Sequence, residues 1–145
     1  MIEVNVGIEI DAPAAEVFAY IADMSRNTEW QKGMKECRWT SEPPLRLGST
    51  YDQVAGFMGK EIVSSFEVTE FTDGEQIRIE STGGSMPLDI TRSVEPLGDD
   101  RCRVRARVRG DASGVFSVAA PMMKTMVARS VKADYRRLKQ HFAPS

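Results

Sequence analysis

The chain has 145 residues, 41% hydrophobic and 28% charged, which suits one ordinary globular domain spanning 1–145, with a core that needs no metal or disulfide staple. Lys and Arg total 19 against 21 Asp and Glu, a net charge of −2, whereas a dedicated nucleic-acid binder is usually basic. No apolar run of about 18 residues is present, so no membrane span is expected.

Residues 2–10 alternate strictly, with Ile2, Val4, Val6, Ile8 and Ile10 on one face, which predicts a half-buried strand. This acidic, alternating start does not read as a signal or transit peptide, so a cytoplasmic protein is expected. The stretch DAPAAEVFAYIADM follows: Asp11 can cap, Pro13 suits a first helical turn, and Val17, Phe18, Tyr20, Ile21 and Met24 supply an apolar face. SRNTEWQKGM reads as a cap and a second short helix ending near Gly33.

From Glu36 onward, turn signals at 43–44, 48, 58–59, 73–74, 83–84 and 98–100 separate six strands, over about 35–41, 49–57, 60–71, 75–82, 86–95 and 101–110. The short links predict an antiparallel meander. From Ser113 to Phe142 the pattern is helical, with Val127, Val131, Leu138 and Phe142 at spacings of four and seven, and Pro121 either starting this helix or kinking a longer one. One amphipathic helix can cover one face of a curved sheet. The predicted fold is therefore α+β, a seven-stranded curved antiparallel sheet wrapped around a long C-terminal helix, with two short helices after the first strand.

Hairpin geometry carries parity from strand to strand. A two-residue turn at Met58-Gly59 puts Tyr51, Gln53, Ala55 and Phe57 on the face of Ile62, Ser64, Phe66 and Val68. Turns at 73–74 and 83–84 add Ile77, Ile79, Ser81, Met86, Leu88, Ile90, Arg92 and Val94, and a three-residue loop at 97–99 adds Cys102, Val104, Ala106 and Val108. This face is too polar for a pure core. Arg92 has two readings: a structural ion near the rim, paired with Asp134 or Glu75, or, with Gln53, a polar anchor of an internal cavity. Met122, Met123 and Met126 cluster at the start of the helix, as adaptable core filler or as a flexible pocket wall.

The opposite face of the last strand carries the sequence RCRVRARVRG, with five arginines at every second position. Beside the first and sixth strands, their neighbours are Glu3, Glu9, Asp89 and Glu95. The loop register sets Arg101 opposite Glu95 and Arg107 opposite Asp89, and leaves Arg103 and Arg105 facing Ser93 and Thr91. Exposed pairs of this kind help to fix register and keep the outer face wet.

The segment IEIDAPAAEVFAYIADMSRNTEW resembles the opening of the START-related superfamily (SRPBCC) of polyketide cyclases, dehydrases and lipid-transport proteins: a strand, I-x-A-P-x-x-x-V-F, I-A-D and a tryptophan. FMGKEIVSSFEVTEF, VEPLG and VKADYRRLKQHF are similar to its polyketide-cyclase-like branch. The resemblance covers essentially the whole chain and implies a helix-grip fold holding a lipid, polyketide or other apolar small molecule between sheet and C-terminal helix. The ligand contacts expected are Tyr51, Gln53, Phe57, Ser64, Phe66, Ile79, Ser81, Met86, Leu88, Arg92, Met122 and Met126. As the alternative, the resemblance implies a polyketide cyclase or dehydratase in which Arg92 stabilises an enolate and Tyr51 assists proton transfer.

Other chemistries lack their residues. His141 is the one histidine, Cys37 and Cys102 have no metal spacing, and neither a P-loop nor a dinucleotide fingerprint is present. No cofactor, metal or nucleic-acid partner is expected, and the protein is read as a monomer or homodimer.

Overall fold

The computed structural model describes residues 2–84, 86–111 and 119–144. Strand β1 (Ile2–Ile10) leads into α1 (Ala14–Ala22), a 3-10 turn (Met24–Arg26) and α2 (Asn27–Trp30). Six strands follow: β2 (Met34–Trp39), β3 (Thr50–Phe57), β4 (Lys60–Thr72), β5 (Gln76–Gly84), β6 (Leu88–Pro96) and β7 (Cys102–Gly110). Helix α3 (Ala120–His141) closes the fold. Pro121 sits in its first turn, so the proline starts this helix rather than kinking it; the predicted helical residues 113–118 lie outside the described residues.

The seven strands form one antiparallel sheet in the order β1-β7-β6-β5-β4-β3-β2, so β7 lies between the first and sixth strands as its alternation requires. The sheet curls around α3, whose Met123, Tyr135 and Leu138 are buried. Val4, Val6, Ile10, Phe66, Val68, Ile77, Ile79, Val94, Val104 and Ala106 join Val17, Phe18 and Ile21 of α1 in the core. This is the helix-grip architecture. Among the described residues, no helix is long and apolar enough to cross a membrane.

Local caps differ from expectation. The residue before α1 is Pro13, with no side-chain cap, and Asp11 instead forms an ion pair with Arg101 at 3.3 Å. Asp23 does cap: its carboxylate accepts the Ser25 N–H at 3.2 Å and opens the 3-10 turn. The second short helix ends at Trp30, earlier than Gly33.

The inward parity of every predicted strand holds, while two registers move. Met58 and Gly59 have φ of 52° and 76°, making the tight turn that pairs Phe57 with Lys60. Beyond Asp73-Gly74 the pairing starts at Thr72 with Gln76, and a bulge between Val68 and Glu70 restores Val68 opposite Ile79. At 83–84 there is no two-residue turn: β5 runs on to Gly84, paired with Ser64, and Ile77 faces Arg92. The β6–β7 link is longer than three residues as well, its Leu97 N–H reaching the Arg101 carbonyl at 2.9 Å. Both slips are by two residues, which conserves the faces.

On the outer face the slip changes the partners. Arg103 lies opposite Glu95 and Arg109 opposite Asp89, while Arg105 and Arg107 face Ser93 and Thr91. All five arginines find carboxylates: Arg101 reaches Glu9 and Asp11, Arg103 reaches Glu9 and Glu95, Arg105 reaches Glu95, and Arg107 and Arg109 share Glu3. Asp89 pairs with Arg78 at 2.9 Å rather than with β7, because Arg78 projects from the adjoining strand on the same face.

Candidate functional site

Between the sheet and α3 lies a cavity of about 170 Å³. The sheet contributes Gln53, Ala55, Gly56, Phe57, Ile62, Met86, Leu88, Ile90, Arg92 and Val108. The α2 end adds Trp30, Gln31 and Gly33, the start of β2 adds Met34, and α3 adds Met123, Val127, Ser130, Val131, Asp134 and Tyr135. The wall is mainly apolar with a few polar groups, the usual composition of a small-molecule site. Toward the surface it shares Gly33, Gly56, Phe57 and Ser130 with a cleft bordered by Lys32, Lys35, Arg129 and Arg137.

A roomier groove of about 840 Å³ runs between α1, Trp39, residues 43–45 and the β4–β5 turn. Its charged groups are Asp73, which is exposed, and Asp23, whose carboxylate is already engaged by Ser25 and Arg26. The smaller cavity, which holds buried polar chemistry, is the candidate site.

Arg92 is that chemistry. Alternation along β6 turns it inward between Ile90 and Val94, and its residue is only 4% exposed. Its Nε donates to the Tyr135 hydroxyl at 3.1 Å, its Nη1 lies 3.9 Å from the Met24 sulfur, and its guanidinium sits 5.1 Å from the centre of the Trp30 ring. Among the described residues, no carboxylate comes within ion-pair distance. Glu75 is exposed. Asp134 is held by Arg137 and accepts the Lys32 N–H at 3.2 Å. The structural ion pair expected for Arg92 therefore does not form.

Burial works against the Arg92 charge, but Tyr135, Tyr51 and Cys37 outweigh it and the pKa moves up. The guanidinium stays charged in the core. Burial pushes Tyr135 up despite the Arg92 charge beside it, so its hydroxyl keeps its proton. Since that oxygen accepts from Arg92, its O–H is left as a donor. Burial likewise raises the Tyr51 hydroxyl, and raises the Cys37 thiol to about 11. Asp134 is raised by burial too, against the pull of the Lys32 N–H and Arg137.

Of the residues expected to touch a ligand, Gln53, Phe57, Met86, Leu88 and Arg92 are brought together on the cavity wall. Tyr51 and Phe66 are fully buried and stack on each other at 5.2 Å, outside the lining. Ser64 and Ile79 are buried outside it as well. The Ser81 hydroxyl is used to accept the Leu88 N–H at 2.9 Å. Met122 is 57% exposed and Met126 half-buried off the lining, because the inward stripe of α3 passes through Met123.

Sequence reasoning left Trp30 and Tyr135 out of the lining, and offered Met123 only within a methionine cluster that could form a pocket wall. Two signals were available: counting back four from Val127 gives Met123, and counting on four from Val131 gives Tyr135. Nothing in the local pattern marked Trp30, which reaches the site through the fold of the α2 turn.

The family profile "Polyketide cyclase / dehydrase and lipid transport" matches residues 1–143. The chain belongs to this family. Among curated proteins no sequence match is found. Solved structures similar to this chain include a START superfamily protein from Mycobacterium smegmatis, 17% identical with a TM-score of 0.83, over 97% of this chain and 96% of that one. A protein of Thermus thermophilus is 18% identical with a TM-score of 0.80 over 97% and 96% of the two chains. The di-domain ARO/CYC protein BexL from the BE-7585A biosynthetic pathway is 17% identical with a TM-score of 0.71, covering 97% of this chain and 46% of its own. At these identities the likeness is one of fold.

Proposed function

We propose that this family member binds a hydrophobic small molecule, lipid or polyketide-like, in the cavity between the sheet and α3. One observation carries the reading: a mainly apolar cavity is lined by a buried, charged Arg92 that has no carboxylate partner among the described residues. A buried cation of this kind is costly for folding alone, which favours a ligand role. Phe57, Met86, Leu88, Met123 and Val127 supply the apolar wall, and Gln53, Arg92 and Tyr135 supply the anchors. Three of the liners, Met34, Met86 and Met123, are flexible thioethers that let the cavity adjust to its guest.

Binding is favoured over cyclisation. The cyclase reading assigns proton transfer to Tyr51, which lies off the cavity wall and is a weakened acid through burial. The test is native mass spectrometry of the purified protein. Retention of an apolar small molecule, displaced when Met123→Trp fills the cavity, is the expected result. An empty protein that also fails to take up any apolar probe would defeat the reading.

A further inference from the structure

Resting on the binding reading above, the chemistry of the cavity also selects the class of ligand. Several donors on the residues lining the cavity lack a strong acceptor. Arg92 commits its Nε to Tyr135 and lies against the Trp30 ring, while among the described residues the weak Met24 sulfur is the one hydrogen-bond acceptor its Nη groups meet. The Tyr135 O–H has a proton left to give. Trp30, 1% exposed, has its Nε1 buried without a partner, and so has the Nε2 of Gln31; both residues line the cavity. Asp134 also lines the cavity, but its carboxylate is engaged by Arg137 and the Lys32 N–H and makes no ion pair with Arg92. A buried guanidinium with free N–H groups and no ion pair, beside further unpaired donors, calls for an acceptor-rich group with one negative charge.

The fork of a guanidinium matches a carboxylate in shape, two oxygens against its free N–H groups. The void is close to the roughly 150 Å³ engineered cavity that admits benzene, so the body attached to that carboxylate is about one or two rings in size. We propose that the cavity selects an apolar monocarboxylate, inserted with its carboxylate innermost on Arg92 and its apolar body along Met123, Val127 and Leu88 toward the Phe57 end.

Isothermal titration with 2-naphthoate and its uncharged isostere 2-naphthamide tests this. The acid is expected to bind at least about tenfold more tightly than the amide, a preference of charge-assisted over neutral hydrogen bonds. In Arg92→Met, checked for folding by circular dichroism, the preference should fall to within about twofold, since the charge that makes it is gone. Should Arg92→Met not fold, Arg92→Gln is read in the same way. Equal affinity of acid and amide in the wild-type protein, or a preference that survives loss of the Arg92 charge, overturns the carboxylate assignment and leaves the hydrophobic-binding reading standing. Binding of neither probe overturns both.

Discussion

The Arg92 guanidinium donates through Nε to the Tyr135 hydroxyl at 3.1 Å, joining β6 to α3 across the cavity floor. A charge inside the core is thus held by one neutral oxygen and one aromatic face instead of an acid. This has opposite consequences for the two partners.

Tyr135→Phe keeps the ring and its edge contact with Trp30 but removes the acceptor for a buried cationic N–H. The expected loss of stability is about 1–3 kcal/mol, from leaving that donor unsatisfied. Urea denaturation measures it, and a midpoint identical to wild type would mean that the Arg92–Tyr135 bond contributes nothing.

Arg92→Met behaves differently. It replaces an uncompensated buried charge by an apolar chain of similar length, an exchange that is often neutral or stabilising by about 1–4 kcal/mol. Stability is expected to hold or rise while affinity for an anionic ligand is lost. Thermal unfolding checks the first half. A clear drop in Tm would assign Arg92 a structural role after all.

Gly33 lies on the cavity wall where the α2 end meets β3. Its carbonyl accepts the Gly56 N–H at 2.7 Å, and a Cβ there would stand 2.6 Å from the Gly56 oxygen. Because that neighbour is backbone, Gly33→Ala must push the two segments apart. The expected cost is about 1–3 kcal/mol, as for overpacking in general. Denaturant titration of the alanine variant reads it directly; an unchanged midpoint would show that the approach of Gly33 to Gly56 is not tight.

Stability should decline in alkali. Burial raises the Cys37 thiol to about 11 from 9.0, and burial with the Glu29 bond raises the Tyr20 hydroxyl to about 12 from 10.0. In both cases the folded state holds its proton after the unfolded state has released it. Their contribution is fully present below pH 9 and is lost as pH rises from 9 through 11 for Cys37, and from 10 through 12 for Tyr20. The Tm is expected to be level near neutrality and to fall above pH 9, with the first part of the fall reduced in Cys37→Ser. A flat profile up to pH 11 would contradict the buried thiol.

The arginine row of β7 makes a negative prediction. With each arginine in contact with Glu3, Glu9, Asp11 or Glu95, little charge is free to displace counterions from a phosphate backbone. Duplex DNA is expected to bind weakly or not at all at physiological salt. A strong affinity with a steep salt dependence, measured by fluorescence anisotropy, would reverse the reading of this face.

The sequence by itself determined which residues look inward. Strand side chains alternate with period two, and a hairpin transmits parity to its neighbour, so Arg92, Gln53 and Phe57 could be placed on the inner face from local spacing alone. That inference survived registers displaced by two residues at the β5–β6 and β6–β7 links, because an even slip exchanges partners without exchanging faces. It is also why the partners of Arg103, Arg105 and Arg109 could not be read from the turns: they depend on loop lengths that turn residues mark only loosely.

Only the tertiary structure decided which inward residues enclose space. Tyr51, Phe66 and Gln53 share one face, yet the first two fill the core and the third borders the void. The difference lies in the curl of the sheet and in the rotation of α3, which turns Met123 inward and Met122 to solvent. Local periodicity specifies a direction for each side chain. Whether another atom waits at the end of that direction depends on residues far away in the chain, as with Trp30 and Tyr135, which meet Arg92 from two helices separated by nearly the whole sheet.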